Sequence, residues 1–161
     1  MITQYRLKEM LEYDPETGLF VWKVSTRGAR KGRVAGGITN KYLAIRIDGK
    51  LYYSHRLAWL YVYGVWPTND IDHKDHDKKN NVIANLRDAT RSENLQNMVD
   101  AKISNISTGL LGSCFSKSHG KYIASISVGR KRKHIGVFQT AELAHKAYVE
   151  AKRVLHPFGT I

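Results

Sequence analysis

Cysteine and long apolar runs are scarce in this 161-residue chain, and its acidic side chains are far fewer than its basic ones. Cys114 is its only cysteine, which excludes an intrachain disulfide and a cysteine-built zinc site within one chain. That residue is expected to be a buried apolar filler, because a nucleophilic thiol needs a general base beside it and nothing in the sequence forces His119 or His134 into that place. No stretch approaches the roughly 18 consecutive apolar residues of a membrane span, and MITQYRLKEMLEYD lacks the apolar middle of a secretory signal. The chain is therefore expected in the cytosol or nucleoid of its cell, with no membrane partner.

The shortage of acid is the more informative deficit. Against 14 Asp and Glu stand 26 Lys and Arg, a formal net charge of +12, while 42% hydrophobic and 25% charged residues are the proportions of a globular protein. Such a surplus favours a polyanion, since each neutralised phosphate releases a counterion and adds affinity that does not depend on sequence. The surplus is uneven: residues 1–100 carry 16 basic against 12 acidic residues, net +4, and residues 101–161 carry 10 against 2, net +8. Nucleic acid is the default partner, and the last third reads as a basic module of its own.

Local patterns divide the chain. Tyr5, Leu7, Met10 and Leu11 have near-helical spacing, DPETG supplies a turn, and LFVWKV is strand-like. Arg27, Arg30, Lys31 and Arg33 crowd a glycine-punctuated loop that reads equally as a solvated segment or as a phosphate or minor-groove arm. Tyr42–Ile47 and Leu51–Tyr53 flank Asp48-Gly49, a strong two-residue hairpin signal, and Ser54 is placed to cap an apolar helix that Gly64 and Pro67 end. After a small, polar stretch around 100–108, three short strands are predicted over 110–115, 122–128 and 134–138. Thr140 then caps a helix to about Leu155, with Leu143, Ala144, Ala147, Tyr148, Ala151, Val154 and Leu155 on its apolar face.

The densest chemistry lies between Ile71 and Met98, in IDHKDHDKKNNVIANLRDATRSENLQNM. Asp72 and His73 are adjacent, Asn85 follows 13 positions after Asp72 (85 − 72) and Asn94 follows 22 after it (94 − 72). Phosphodiester hydrolysis needs an activated water, neutralised phosphate charge and help for the leaving oxygen, which one histidine and one divalent ion can supply. A carboxylate such as Asp72 and an amide oxygen such as Asn94 are hard ligands suited to Mg²⁺, with Mn²⁺ as a substitute. Neighbours on an extended strand point in different directions, so His73 can serve as general base beside a metal-holding Asp72. Asn85 can hydrogen-bond across the polar loop KDHDKKNN and fix the orientation of His73. His73 and His76 also form a short His-x-x-His, but without a soft ligand the base-plus-loop reading is preferred to zinc. His55, beside an apolar helix, is expected to be a packed or capping histidine, and Asn80, Asn81 and Asn97 to serve turns and helix ends.

HRLAW at His55, DHKD at Asp72, NN at Asn80, NLR at Asn85 and RSEN at Arg91 together resemble the HNH endonucleases, the ββα-metal nucleases, and within them the phage and intron-encoded homing branch. The resemblance implies that His73 is the general base, Asp72 and Asn94 the metal ligands, and Asn85 the structural middle residue of the catalytic set. Asn in the third position favours one hard ion over zinc. Where the family often has Gly in the loop, this chain has His76.

Residues from Ser104 onward resemble the Apetala/ethylene-response-factor (ERF) type of DNA-binding domain, in which a three-stranded antiparallel sheet backed by one helix enters the major groove. By that resemblance Lys117, Lys121, Arg130, Arg132 and Lys133 are candidates for DNA contact, with Arg91 added from the nuclease part. The usual Trp of the first strand region is replaced by Phe115 and Ser116, so base-level specificity does not carry over.

The expected fold is α+β: an N-terminal ββα-metal HNH nuclease domain over 1–100 with a helix and hairpin elaboration, a linker over 101–108, and over 109–161 a small three-stranded antiparallel sheet plus helix for DNA binding. The expected activity is metal-dependent cutting of duplex DNA by a monomer or homodimer, in the host cytosol or nucleoid if phage-encoded. A non-catalytic, sequence-specific DNA-binding regulator is the alternative, and a structured-RNA binder a third reading.

Overall fold

A computed structural model describes residues 1–129 and 131–160, which fall into two compact units, Met1–Arg91 and Ser92–Ile161.

In the first unit, α1 (Gln4–Met10) starts at Thr3, whose hydroxyl accepts from the Arg6 amide at 3.2 Å. The helix stops at Met10, and Leu11–Tyr13 turns into β1, paired antiparallel with β2 (Phe20–Trp22) in the register Leu11↔Trp22 and Tyr13↔Phe20. Helical spacing extended too far here, because Leu11 and Tyr13 alternate as well as they spiral, and pairing with β2 buries both. Tyr5, placed on the apolar face by its spacing, is exposed. The DPETG turn is held by Asp14, which accepts from the Glu16 amide at 2.9 Å and the Thr17 hydroxyl at 2.7 Å.

A second sheet has the order β3 (Gly37–Thr39), β4 (Tyr42–Ile47), β5 (Lys50–Tyr53), all antiparallel. Asp48 and Gly49 both have positive φ, 49° and 78°, as a two-residue hairpin turn requires. The short, exposed β3 carries no alternating pattern that would mark it as a strand. Then α2 (Ser54–Tyr63) runs to Gly64, which closes it at φ 77°. Ser54 is its first residue rather than its cap: Tyr53 holds the cap position without a side-chain hydrogen bond, and Ser54 is buried. One core joins α1, both hairpins and α2 through Leu7, Leu11, Phe20, Ile45, Ile47 and Leu57, and Ile71 and Leu86 of the next hairpin complete it. That last hairpin is β6 (Asp70–His73) against β7 (Leu86–Ala89), with a short 3₁₀ turn at Ile83–Asn85 before β7.

The second unit takes in most of α3 (Arg91–Gln96) and a sheet of order β10 (Lys131–Phe138), β9 (Lys121–Val128), β8 (Ser113–Ser116), all antiparallel, with α4 (Ala141–Leu155) packed on the three strands. Thr140 caps α4. The helix buries Ala144, Tyr148 and Lys152 on a single i, i+4, i+8 line, whereas Leu143 and Val154, expected on the apolar face, are exposed. Lys152 occupies the place an apolar residue would take because its ammonium donates to the Met98 carbonyl. Gly112, with φ 75°, lies so close under Tyr148 that an added Cβ would fall 2.0 Å from its ring.

Candidate active site

β6 delivers Asp72 and His73 as consecutive buried residues, with relative exposures of 7% and 5%. The register sets Asp72 opposite Arg87 and His73 opposite Leu86, so the Asp72 and His73 side chains leave the hairpin on opposite faces. Arg87 places Nε at 2.9 Å and Nη2 at 2.7 Å from the same Asp72 oxygen, Oδ2, a charge-assisted pair that fixes the carboxylate.

His73 is enclosed by rings. Its centroid is 5.3 Å from that of His55, edge to face, and 6.1 Å from that of Tyr42, while His55 stacks on Tyr53 with ring planes 9° apart. Burial pushes the His73 pKa below the ordinary histidine value, against the opposing pull of the Asn81 hydrogen bond and of Asp75, Asp72 and Asp77. The ring is thus neutral near pH 7, the form that can accept a proton. Burial, and then the charges of His73 and Arg56, push His55 down to about 3, and among the described residues its Nδ1 has no hydrogen-bond partner. His55 is a packed histidine, as its place in HRLAW suggested.

Between β6 and β7 the loop is gathered on Asn85. Its Oδ1 accepts from the Asp75 amide at 3.1 Å, its Nδ2 donates to Asp75 Oδ1 at 2.9 Å and to the Asn80 carbonyl at 3.0 Å, and its own carbonyl accepts from the Lys74 amide at 3.0 Å. Burial would raise the Asp75 carboxyl, but hydrogen bonds from Asn80 and Asn85 outweigh it and hold the group below the usual carboxylate range. His76 sits at φ 66°, so the loop keeps the left-handed turn for which glycine is the usual residue.

The residue that touches His73 Nε2 is Asn81, whose Oδ1 lies 3.4 Å away. Asn81 is 1% exposed, and its carbonyl accepts from the Tyr13 hydroxyl at 2.7 Å. Residue type alone assigns it to a turn; a polar residue in a polar loop carries no periodic signal that would mark it as buried.

The other candidates are more dispersed. Asn94 is half-buried on α3, in the second unit. Arg27, Arg30, Lys31 and Arg33 are on a loop closed by isolated bridges Thr26↔Ala29 and Val21↔Val34. Arg91 is exposed at the start of α3. In the second unit Lys117 lies in the β8–β9 turn, and Lys121 and Arg132 pair with Ser116 and Ser127 on the sheet face away from α4. Arg132 is fixed there by its Nε, which donates to Ser125 Oγ at 2.8 Å. Lys133 pairs with Ile126 and so leaves the sheet on the helix side, while Arg130 lies outside the described residues.

Among the described residues no three His, Cys, Asp and Glu side chains gather to hold a metal ion, and no helix is long and apolar enough to cross a membrane. The oxygen donors of this hairpin and its loop, the Asp72 carboxylate and the Asn81 amide, are of the kind a hard ion that keeps waters and phosphate oxygens in its shell would take.

The hairpin thus presents a buried, neutral histidine next to a carboxylate held by Arg87, on a strongly basic chain. Residues 52–96 match the family model described as HNH endonuclease, which supports a nuclease-type function and DNA as its substrate. No curated protein and no solved structure matches the chain.

Proposed function

We propose that this protein is a metal-dependent endonuclease of the homing HNH type that cuts duplex DNA, with His73 as general base, Asp72 as a ligand of one Mg²⁺ ion, and Asn85 holding the loop behind the base. The observation that carries this reading is the buried, neutral His73 adjacent to the Arg87-fixed carboxylate of Asp72, inside the segment that matches the nuclease model.

Neutral His73 takes the proton of the attacking water, and the rings of His55 and Tyr42 pack beside its own. Asn85 acts through the backbone, because its bonds to Asp75, Asn80 and Lys74 keep the loop from drawing β6 out of line. A divalent ion, when bound, supplies charge neutralisation at the scissile phosphate and at the leaving 3′-oxygen. The second unit is the ERF-like DNA-binding module of this reading: Lys117, Lys121 and Arg132 meet phosphates from the open sheet face, with Arg27, Arg30, Lys31, Arg33 and Arg91 contributing from the rest of the chain.

The test is conversion of supercoiled plasmid, or of phage DNA containing the natural target, by wild type and His73→Ala with Mg²⁺ and with EDTA. Wild type cuts only with metal, and His73→Ala lowers the rate by ~10² to 10⁴-fold, the range of a missing general base, at nearly unchanged DNA affinity. Tight binding without cutting would transfer the assignment to a DNA-binding regulator.

A further inference from the structure

We propose that the open face of the second unit's sheet reads thymine in the major groove of duplex DNA, through an apolar row formed by Cys114, Ile123 and Val137.

The strand register builds the row. Ile123 of β9 lies opposite Cys114 of β8 and opposite Val137 of β10, so the three residues stand side by side across all three strands. Side chains alternate between the two faces of a strand. Ala124 and Ile126 are buried against Ala144 and Tyr148 of α4, which turns Ile123, and with it both of its neighbours, to the face away from the helix. Val137 is 40% exposed there, and Cys114 is half-buried rather than the buried filler that its residue type suggests. On the same face Lys121 stands two residues before Ile123, and Ser125 stands two residues after it, holding the Arg132 guanidinium. The apolar row is thus bracketed by cations.

A polyanion is the occupant that this face fits. Between Ser113 and Phe138 the sequence has six Lys and Arg and no Asp or Glu, so nothing on the strands repels a phosphate. Three side chains set between cations make too small an apolar patch to seat a protein partner. Duplex DNA matches both parts: it offers phosphates to the cations and, among the hydrogen-bonding base edges of the major groove, one apolar group, the C5-methyl of thymine. With neighbouring strands ~4.8 Å apart the row is roughly 10 Å wide, about three base steps of ~3.4 Å. Ile123 and Val137 have no side-chain hydrogen-bonding atom and the Cys114 thiol is a weak donor. The row therefore favours a methyl group and leaves the edges of a G·C pair without a partner.

The inference rests on the reading of the second unit as a DNA-binding module, and its experiment separates the two. Full-length protein, in EDTA to prevent cutting, selects duplexes from a random pool. Fluorescence anisotropy then measures its affinity for a selected duplex in which each thymine is replaced in turn by uracil, which lacks only the methyl group. Uracil at one position or more is expected to weaken wild-type binding about fourfold, the worth of one buried methyl group. That penalty is expected to vanish in the double variant Ile123→Ser, Val137→Ser. A selected pool without enriched thymine, no uracil penalty in wild type, or the same penalty in the double variant would overturn the inference. Should the double variant fail to fold, wild type supplies its own check, because Cys114 is the only thiol. Saturating duplex is expected to slow alkylation of Cys114 severalfold, and an unchanged rate would overturn the placement of the row in the groove. Changing Lys117, Lys121 and Arg132 together to Ala reports on the wider reading. A salt dependence equal to that of wild type would remove the sheet face from the DNA interface altogether, whereas a reduced one beside an absent uracil penalty would strike the thymine contact alone.

Discussion

The two buried histidines of the first unit set one boundary on the conditions in which this protein folds. His55 binds its proton in the folded state only near pH 3, against about 6.5 for a free histidine. Below 6.5 the unfolded chain therefore holds a proton that the folded chain refuses, so stability is full above that pH and falls as pH drops toward 3, by ~1.4 kcal/mol per pH unit for one such group. His73, lowered in the same direction, adds to the slope. His55→Phe keeps the stacking on Tyr53 and removes both the titration and the unpartnered Nδ1. Chemical denaturation of wild type and His55→Phe between pH 7 and 4 should give similar stabilities at pH 7 and a dependence shallower by about one proton in the variant; parallel slopes would mean that His55 is protonated in the folded state. HRLAW marked His55 as a packed or capping histidine but could not name the rings around it, because Tyr42, Tyr53 and His73 reach it from other elements.

Elements follow the sequence where one local rule acts alone and depart from it where two compete. The β4–β5 hairpin came directly from Asp48-Gly49, since only residues tolerant of positive φ can make that turn. The end of α1 did not, because Leu7, Met10, Leu11 and Tyr13 satisfy both periods and only pairing with β2 decides between them. On α4 the competition is between an apolar count and a geometry: Leu143 and Val154 are apolar but turn outward, while Lys152 turns in. The seat of that helix on its sheet depends on a residue without a side chain. Gly112 needs both its positive φ and the space that Tyr148 fills, so Gly112→Ala combines backbone strain of about 1 kcal/mol or more with an aromatic displaced from the core. A destabilisation of at least ~2 kcal/mol is expected for the second unit, whereas Val154→Lys should change stability by less than about 0.5 kcal/mol. Thermal unfolding followed by near-ultraviolet circular dichroism separates the two, and a tolerated Gly112→Ala would mean that α4 does not pack on the sheet through Tyr148. Within the nuclease hairpin, the adjacency of Asp72 and His73 and the bridging by Asn85 were open to reading from residue types alone. Asn81 and Arg87 were not, since each gains its role from a partner on another strand or turn that spacing cannot identify.

At the scale of the whole molecule the charge is shared rather than confined to the tail. A division at residue 100 concentrates it late, but the compact units carry 16 basic against 10 acidic residues in Met1–Arg91 and 10 against 4 in Ser92–Ile161, a net +6 each (16 − 10 and 10 − 4). The difference comes from Glu93 and Asp100, which lie in the second unit. If both units meet the phosphate backbone, removing basic groups from one must weaken duplex binding in part and leave a salt dependence that belongs to the other. Alanine at Lys117, Lys121 and Arg132 together should lower the slope of log affinity against log salt by about 0.9 for each phosphate that these side chains no longer neutralise. The residual slope should disappear only when Arg27, Arg30, Lys31, Arg33 and Arg91 are neutralised as well. Because these side chains are distant in sequence from His73 and act on encounter rather than on the proton transfer, turnover at saturating DNA should stay within about twofold of wild type. Fluorescence anisotropy across a salt series, paired with plasmid nicking at saturating DNA, reads both quantities. A triple variant with an unchanged slope would remove the sheet face of the second unit from the DNA interface and leave the affinity to the first.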